Sequence, residues 1–280
     1  MSGRLFLVGT PIGNLGDLSP RAVEILAEAD FIAAEDTRVT VKLLNHLGIK
    51  KPMVSYFEHN RAASGEKILE RLKAGETCAL VTDAGMPAIS DPGEDLVAQC
   101  AEAGIEIAAV PGPSAVVTAL ALSGLPTGRF TFEGFLSTAK RSRFEHLEEL
   151  RDEKRTMVFY EAPHKLLLTL KDMLAVWGDR RIALCREMTK LHEETVRTTL
   201  AEAAAVYEAE PPRGEFVLVI EGVTETREEA YSLSDAAELV ERYRLEGMSL
   251  KDAVKKASAV TGLARNAVYD AAVKQDQSKD

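Results

Sequence analysis

The chain of 280 residues is poor in several things that would have named its class at once. It holds three cysteines, Cys78, Cys100 and Cys185. Their number is odd, none forms a C-x-x-C, and none has a histidine at metal-ligand spacing. A disulfide framework and a zinc site are therefore not indicated, and each cysteine reads as a buried thiol in an apolar segment. No apolar run approaches the roughly 18 residues a membrane helix needs. The apolar stretch in "MSGRLFLVGT" is only strand-length, short of a signal peptide, so a cytoplasmic protein is expected. Basic residues are outnumbered, 34 against 44, for a net charge of -10. Phosphate binding rests on clustered Lys and Arg, so a body coated in nucleic acid is excluded, although a local basic patch is not. There is no G-x-x-x-x-G-K-[ST], hence no P-loop, and Gly9, Gly13 and Gly16 do not have the spacing of a dinucleotide fingerprint.

What is present is regular. With 46% hydrophobic and 28% charged residues, the composition is that of a globular protein able to bury a core. Over the first 125 residues, short apolar runs ("RLFLV", "FIAAE", "MVSYF", "CALVT", "IEIAAV") alternate with amphipathic stretches. The first of these stretches opens with Ser19 as cap and Pro20 at the first helical position. Strands that are continuously apolar belong to a parallel sheet covered on both faces. After a Gly/Pro break at 124–129 the alternation loosens. "FTFEGF", "TMVFY", "RIALCRE" and "FVLVIEG" read as strands, with "ETVRTT" a candidate antiparallel one. From about Thr224 strands vanish, and three short helical stretches are separated by Gly247 and Gly262. The expected fold is α/β: two α/β domains (1–124 and 125–224) with a central crevice. A small helical extension, 225–280, follows with helix-turn-helix spacing.

Three strand-to-helix connections are unusual: "GTPIGNLGD" (9–17), "TDAGMPAISDPG" (82–93) and "PGPS" (111–114). An ordinary connection needs only about 2–6 residues. Glycine lets a backbone approach a ligand without Cβ hindrance, and proline fixes the path before the ligand arrives. Ligands of open parallel sheets bind outside the carboxyl ends of the strands, where the strand order reverses. Three stiff, side-chain-poor loops there suit a flat, polar-edged, partly cationic ligand, with Asp83 supplying charge.

The motifs "VGTPIGNLGDLSPRA", "AAEDTR", "VTDAGMPAISDPG", "PGPSAVVTALALSGLP", "FEGF", "FYEAPHK", "REMTK" and "GEFVLVIEG" occur in that order. Over roughly residues 4 to 222 this series resembles the bacterial small-subunit ribosomal RNA methyltransferase I family, itself similar in fold to the tetrapyrrole methylases. The resemblance implies an S-adenosylmethionine-dependent enzyme that methylates the ribose 2′-oxygen of a cytidine in 16S rRNA of the 30S subunit, working as a homodimer without membrane attachment or metal. It implies cofactor contacts from Pro11, Ile12, Asp83, Ala84, Gly85 and Ser114 in the first half. In the second half it implies Glu161, Ala162, Glu187, Gly214, Glu215 and Phe216. Met86 departs from the family pattern, where Thr is expected, and should change side-chain packing more than backbone path.

A 2′-hydroxyl is a weak nucleophile, so a base or a cation at the developing oxyanion should help by roughly 10²–10⁴-fold. Candidates at strand tips are Asn14, Glu35, Asp36, Arg38, His164, Arg186 and Lys190. The plainer reading makes Asp17 and Asp36 helix caps and pairs Arg186 with Glu187. For RNA, the candidates are a basic cluster of Lys140, Arg141 and Arg143, and Lys255, Lys256 and Arg265 in the tail. A tetrapyrrole methyltransferase of the same fold, and a non-catalytic regulator that binds DNA through its last helices, are the alternatives.

Overall fold

The computed structural model describes residues 3–91, 93–223 and 232–277. Residues 1–223 form one compact unit and 224–280 a second. The first half supplies β1 (Arg4–Val8), β2 (Phe31–Ala34), β3 (Met53–Ser55), β4 (Thr77–Val81) and β5 (Glu106–Val110), in the order β3-β2-β4-β1-β5. All the pairings are parallel. The intervening helices are α1 (Pro20–Glu28), α2 (Thr37–His46), α3 (Arg61–Lys73) and α4 (Gly93–Glu102).

Strand side chains alternate between faces, and here both faces are apolar. Leu5, Phe31, Cys78 and Leu80 pack under Ile68, Leu72, Leu96 and Cys100 of α3 and α4. Val8, Ile32, Ala79 and Val81 pack under Ala22, Leu26 and Leu44 of α1 and α2. This two-sided burial is why the strands read as unbroken apolar runs. The three cysteines are free and buried, and burial pushes the Cys78 thiol up, out of reach of ionisation. Because α1 and α4 leave adjacent strands β1 and β4 toward opposite faces, the strand order reverses between those two tips.

The second half builds a mixed sheet from β6 (Phe130–Phe135), β7 (Thr156–Glu161), β8 (Arg181–Arg186), β9 (Glu194–Thr199) and β10 (Phe216–Ile220), ordered β6-β7-β10-β8-β9. Only the β6–β7 pair is parallel, and β9 is antiparallel to β8, as its sequence suggests. Helices α6 (Lys140–Glu149), α7 (Pro163–Trp177) and α8 (Leu200–Ala209) cover one face. The other face is covered by α5 (Ala115–Ser123), which precedes this sheet in the chain. Val116, Ala119 and Leu120 of α5 pack on Val158, Ala183, Cys185, Val217 and Val219. The reading 1–124 assigns α5 to the first domain, whereas its apolar side chains belong to the core of the second sheet. Fully burying a Val or Leu side chain stabilises by about 1.5–3 kcal/mol.

In the second unit, α9 (Leu233–Leu245), α10 (Leu250–Thr261) and α11 (Arg265–Gln277) close around Val240, Tyr243, Val254, Ala257 and Val268. Ser232 and Asp235 form a capping box at the start of α9, and Gly262 ends α10 in the left-handed conformation. Residues 225–231 and 278–280 of the expected extension lie outside the described residues. Among the described residues no helix is long and apolar enough to cross a membrane, and no group of side chains could hold a metal ion.

Candidate cofactor crevice

The three loops singled out in the sequence meet at the sheet's reversal point. Thr10 N donates to Gly85 O (2.9 Å) and Gly85 N to Thr10 O (3.1 Å), a two-residue antiparallel bridge between the first two loops. The Thr10 hydroxyl donates to Thr82 O (3.1 Å). A Cβ on Gly9 would lie 2.7 Å from Gly112 Cα, so the β1 and β5 tips touch backbone to backbone. Met86 Sδ would lie 2.8 Å from that same Cβ, so the departing residue packs on the β1 tip and leaves the bridge at Gly85 intact.

These tips form one side of a crevice of about 500 Å³, within the range of small-molecule sites. Ile12, Ala84, Gly85 and Ser114 line it from the first half, and Glu161, Ala162, Glu187, Glu215 and Phe216 from the second. Pro11 and Asp83 line an adjoining hollow of about 230 Å³ beside α2. Gly214 stands behind the lining: a Cβ there would lie 2.6 Å from Glu187 Cγ, and its φ is +85°.

The second-sheet side is held by charged side chains. Glu161 is 3% exposed; its carboxylate accepts from Ala162 N (2.8 Å) and from the Thr169 hydroxyl (2.5 Å). Lys190 Nζ donates to Glu187 Oε1 (2.9 Å) and Glu215 Oε2 (2.8 Å). Its stem lies against Gly13, where a Cβ would be 2.6 Å from Cγ. The Glu215 N–H also donates to Glu187 Oε1 (2.9 Å). That backbone bond, then Lys190, holds the Glu187 carboxyl below the usual range. Burial works to lower the Lys190 ammonium, but its bonds to Glu215 and Glu187 outweigh burial and raise it. Glu187 and Thr189 are at φ +50° and +66°, and on the first-half side Ala88 and Ser90 are at +67° and +66°. Non-glycine residues persist there only when their surroundings enforce it, and such strain clusters at binding sites.

Of the seven catalytic candidates, Glu35 and Lys190 line the crevice. Glu35 Oε2 accepts from the Thr82 hydroxyl (2.5 Å) and from Asp83 N (3.3 Å). Asn14 folds back onto Gly16 N. Asp36 caps α2 and is clasped by Arg38, whose bonds hold its carboxyl at about 2. Arg38 and His164 are exposed. Arg186 does not pair with Glu187; it bonds Glu194 (3.2 Å) in a groove on the α8 side. A strand residue and its successor point to opposite faces, which separates Arg186 from the crevice.

The basic cluster needs one correction. Arg143 is buried, bonded to Asp172 (2.7 Å) and to the carbonyls of Ser137 and Thr138. It faces α7, and so is not a surface phosphate contact. Lys140 and Arg141 are exposed, Arg141 beside Glu145 (2.7 Å). In the tail Lys255 and Arg265 are exposed, and Lys256 Nζ sits 4.2 Å over the Tyr243 ring.

Sequence reasoning missed Asp91, Ile89, Phe135 and Tyr160, all in the lining. Asp91 Oδ1 accepts from Ala88 N (2.8 Å) and Gly93 N (2.9 Å), and burial, then the charge of Glu35, raises its carboxyl. Asp83 is raised for the same reasons, burial first and then Glu35. The lining thus carries Glu35, Asp91, Glu161, Glu187 and Glu215 against the single ammonium of Lys190. Such a lining suits a cationic, hydrogen-bonding ligand.

Relatives agree with this architecture. Residues 4–204 match the family Tetrapyrrole (Corrin/Porphyrin) Methylases, and residues 232–276 the RsmI C-terminal HTH domain. The ribosomal RNA small subunit methyltransferase I of Synechocystis sp. is 47% identical, covering 95% of this chain and 96% of its own. That of Bacillus subtilis is 44% identical, covering 96% and 94%. The chain belongs to the ribosomal RNA small subunit methyltransferase I family. Another member, from Thermotoga maritima, is 50% identical over 99% of its own length but only 79% of this chain. Solved structures similar to this family member include diphthine synthase (TM-score 0.59, 15% identity, covering 80% of this chain and 91% of that one). A second is uroporphyrin-III C-methyl transferase from Thermus thermophilus complexed with S-adenyl homocysteine (0.54, 20%, 78% and 97%). At these identities they speak for the fold alone.

Proposed function

We propose that this chain transfers the methyl group of S-adenosylmethionine to the ribose 2′-oxygen of a cytidine in 16S rRNA of the small ribosomal subunit. One observation carries the reading: a crevice at the sheet's reversal point whose charged lining side chains are five carboxylates against one ammonium, set among apolar residues. A positively charged sulfonium attached to a nucleoside fits that set of carboxylates; the printed function of the relatives supports small-subunit ribosomal RNA as the acceptor, and the cytidine 2′-oxygen rests on the motif resemblance. Pro11, Ile12, Asp83, Ala84, Gly85, Ser114, Glu161, Ala162, Glu187, Glu215 and Phe216 hold the cofactor, with Gly214 shaping the wall behind Glu187.

The bound cofactor supplies an electrophilic methyl on sulfur. Its transfer to the 2′-oxygen would form a C–O bond at the expense of the C–S bond, with sulfur leaving as the neutral thioether and the hydroxyl proton going to a base of the chain. Placement alone can supply about 7–11 kcal/mol of the barrier. We assign Glu35 to take the hydroxyl proton, since Thr82 and Asp83 engage Oε2 and leave Oε1 for the acceptor. Lys190 fastens the 187–190 loop onto the β1 loop. Lys140, Arg141, Lys255, Lys256 and Arg265 contact rRNA phosphates. The enzyme works in the cytoplasm as a homodimer, with 16S rRNA or the 30S subunit as substrate.

The deciding experiment follows methyl label from S-adenosylmethionine into 30S subunits, free 16S rRNA and a porphyrinogen. Label at a cytidine ribose of 16S rRNA is expected, and Glu35→Gln should lower kcat by roughly 10²-fold or more, with a much smaller change in cofactor affinity. Label on the porphyrinogen alone would establish the tetrapyrrole alternative. Sedimentation of a micromolar sample checks the dimer.

A further inference from the structure

At the crevice, β6 carries an irregularity that its function as a strand does not require. Phe132 pairs with Val158, but Gly134 pairs with Phe159 and Phe135 with Tyr160, so one extra residue sits between Phe132 and Gly134. Gly134 takes φ +63°, which a side chain would resist. Side chains alternate along a regular strand, which would send Phe135 to the α6 face with Glu133, whose carboxylate meets His146 (3.0 Å). The extra residue reverses that, and a bulge is a recognised way to re-aim one side chain. Phe135 consequently shares the crevice face with Phe132 and Tyr160, its ring centroid 5.4 Å from that of Tyr160.

Phe135 is nonetheless 57% exposed while lining the crevice. So re-aimed a ring, left open, does little for the core. The facing loop repeats the pattern. Ile89 also lines the crevice, is 53% exposed, and is flanked by Ala88 and Ser90 in strained left-handed conformations. A Cβ on Gly134 would lie 3.6 Å from Ser90 Oγ, so the two segments adjoin. The two exposed apolar side chains thus share the crevice lining with the carboxylates of Glu35, Asp91, Glu161, Glu187 and Glu215.

Resting on the reading given under Proposed function, we infer that Phe135, backed by Tyr160 and with Ile89 across the opening, is the platform on which the acceptor nucleotide's base stacks. Proteins that act on one nucleotide of RNA take unstacked bases onto aromatic or apolar side chains. The platform orients the ribose toward the crevice interior; Phe135 is a positioning residue, remote from the methyl transfer itself.

Phe135→Ala, Phe135→Leu and Phe135→Tyr are compared with wild type for methylation of 30S subunits and, separately, for binding of S-adenosylhomocysteine by calorimetry. Loss of a base–aromatic stack should raise the KM for the RNA substrate by about 5- to 150-fold in the Ala and Leu variants. Phe135→Tyr should stay near wild type, and cofactor affinity and melting temperature should hold in all three. Leu performing as well as Tyr would mean apolar packing only, and weakened cofactor binding would make the ring a cofactor contact; either overturns the inference. An active wild type with an equally active Phe135→Ala overturns it alone. A wild type that methylates no RNA overturns the functional reading and this inference with it.

Discussion

The two sides of the crevice are built from different materials. On the first-sheet side the tie between loops is main chain, behind lining side chains such as Glu35, Ile89 and Asp91: Gly9 against Gly112, and Thr10 bridged to Gly85. On the second-sheet side it is side chain: Glu161 on Thr169, Lys190 between Glu187 and Glu215, and Phe135 on Tyr160. A backbone side is rigid and indifferent to most substitutions except those at its glycines. A side-chain side is tunable residue by residue.

Four experiments test that contrast. The largest effect is expected from Gly9→Ala, whose Cβ meets backbone that no rotamer change can move. Overpacking of this kind costs about 1–3 kcal/mol; drawn from binding, that is roughly 5- to 150-fold in cofactor affinity by calorimetry. Gly128→Ala, with nothing within 4 Å, is the control and should be silent. Next, Glu161→Gln keeps the shape but weakens two charge-assisted bonds. A loss of about 1–1.5 kcal/mol in denaturant unfolding is expected, with weaker cofactor binding. If Gly9→Ala were milder than Glu161→Gln, the contrast between the two sides would be wrong.

A smaller effect belongs to Lys190→Met, because its partners are partly exposed and such pairs contribute below ~1 kcal/mol. Its signature is pH dependence. Glu187 is lowered from 4.5, so its contribution is complete above that value and is lost as pH falls below it. Lys190 is raised from 10.5, so its contribution is complete below that value and is lost as pH rises past it. The melting-temperature gap between wild type and Lys190→Met should thus be flat from about pH 5.5 to 9.5 and close on the acid side. The smallest effect is outside the crevice. Replacing both Lys140 and Arg141 by Glu should reduce the salt slope of RNA binding by about 1.4 or somewhat more, while an unchanged slope removes this patch from the interface.

The same contrast explains what the sequence discloses. The first-sheet side was legible because glycine, proline and aspartate cluster where backbone is being shaped, and unbroken apolar strands announce a doubly covered sheet. The second-sheet residues Glu161, Glu187 and Glu215 came only through family likeness, since a glutamate looks the same buried on Thr169 or free in water. Arg143 misled for the converse reason. It sits in a basic cluster, yet the helix period turns it inward to Asp172 while Arg141 stays outside. Phe135 was hidden by the bulge: one residue inserted in a strand reverses every facing after it, and "FTFEGF" carries no mark of that beyond its glycine.

Helix α5 sets a condition on how the chain is made. It is synthesised with the first sheet but covered by the second, whose β10 is the last strand to appear. At about 5–20 residues added per second, its apolar surface waits on the order of 5–20 s for a partner. A product truncated shortly after Ser123 would therefore carry a bare greasy helix, and is expected to aggregate or be degraded where the full chain is stable.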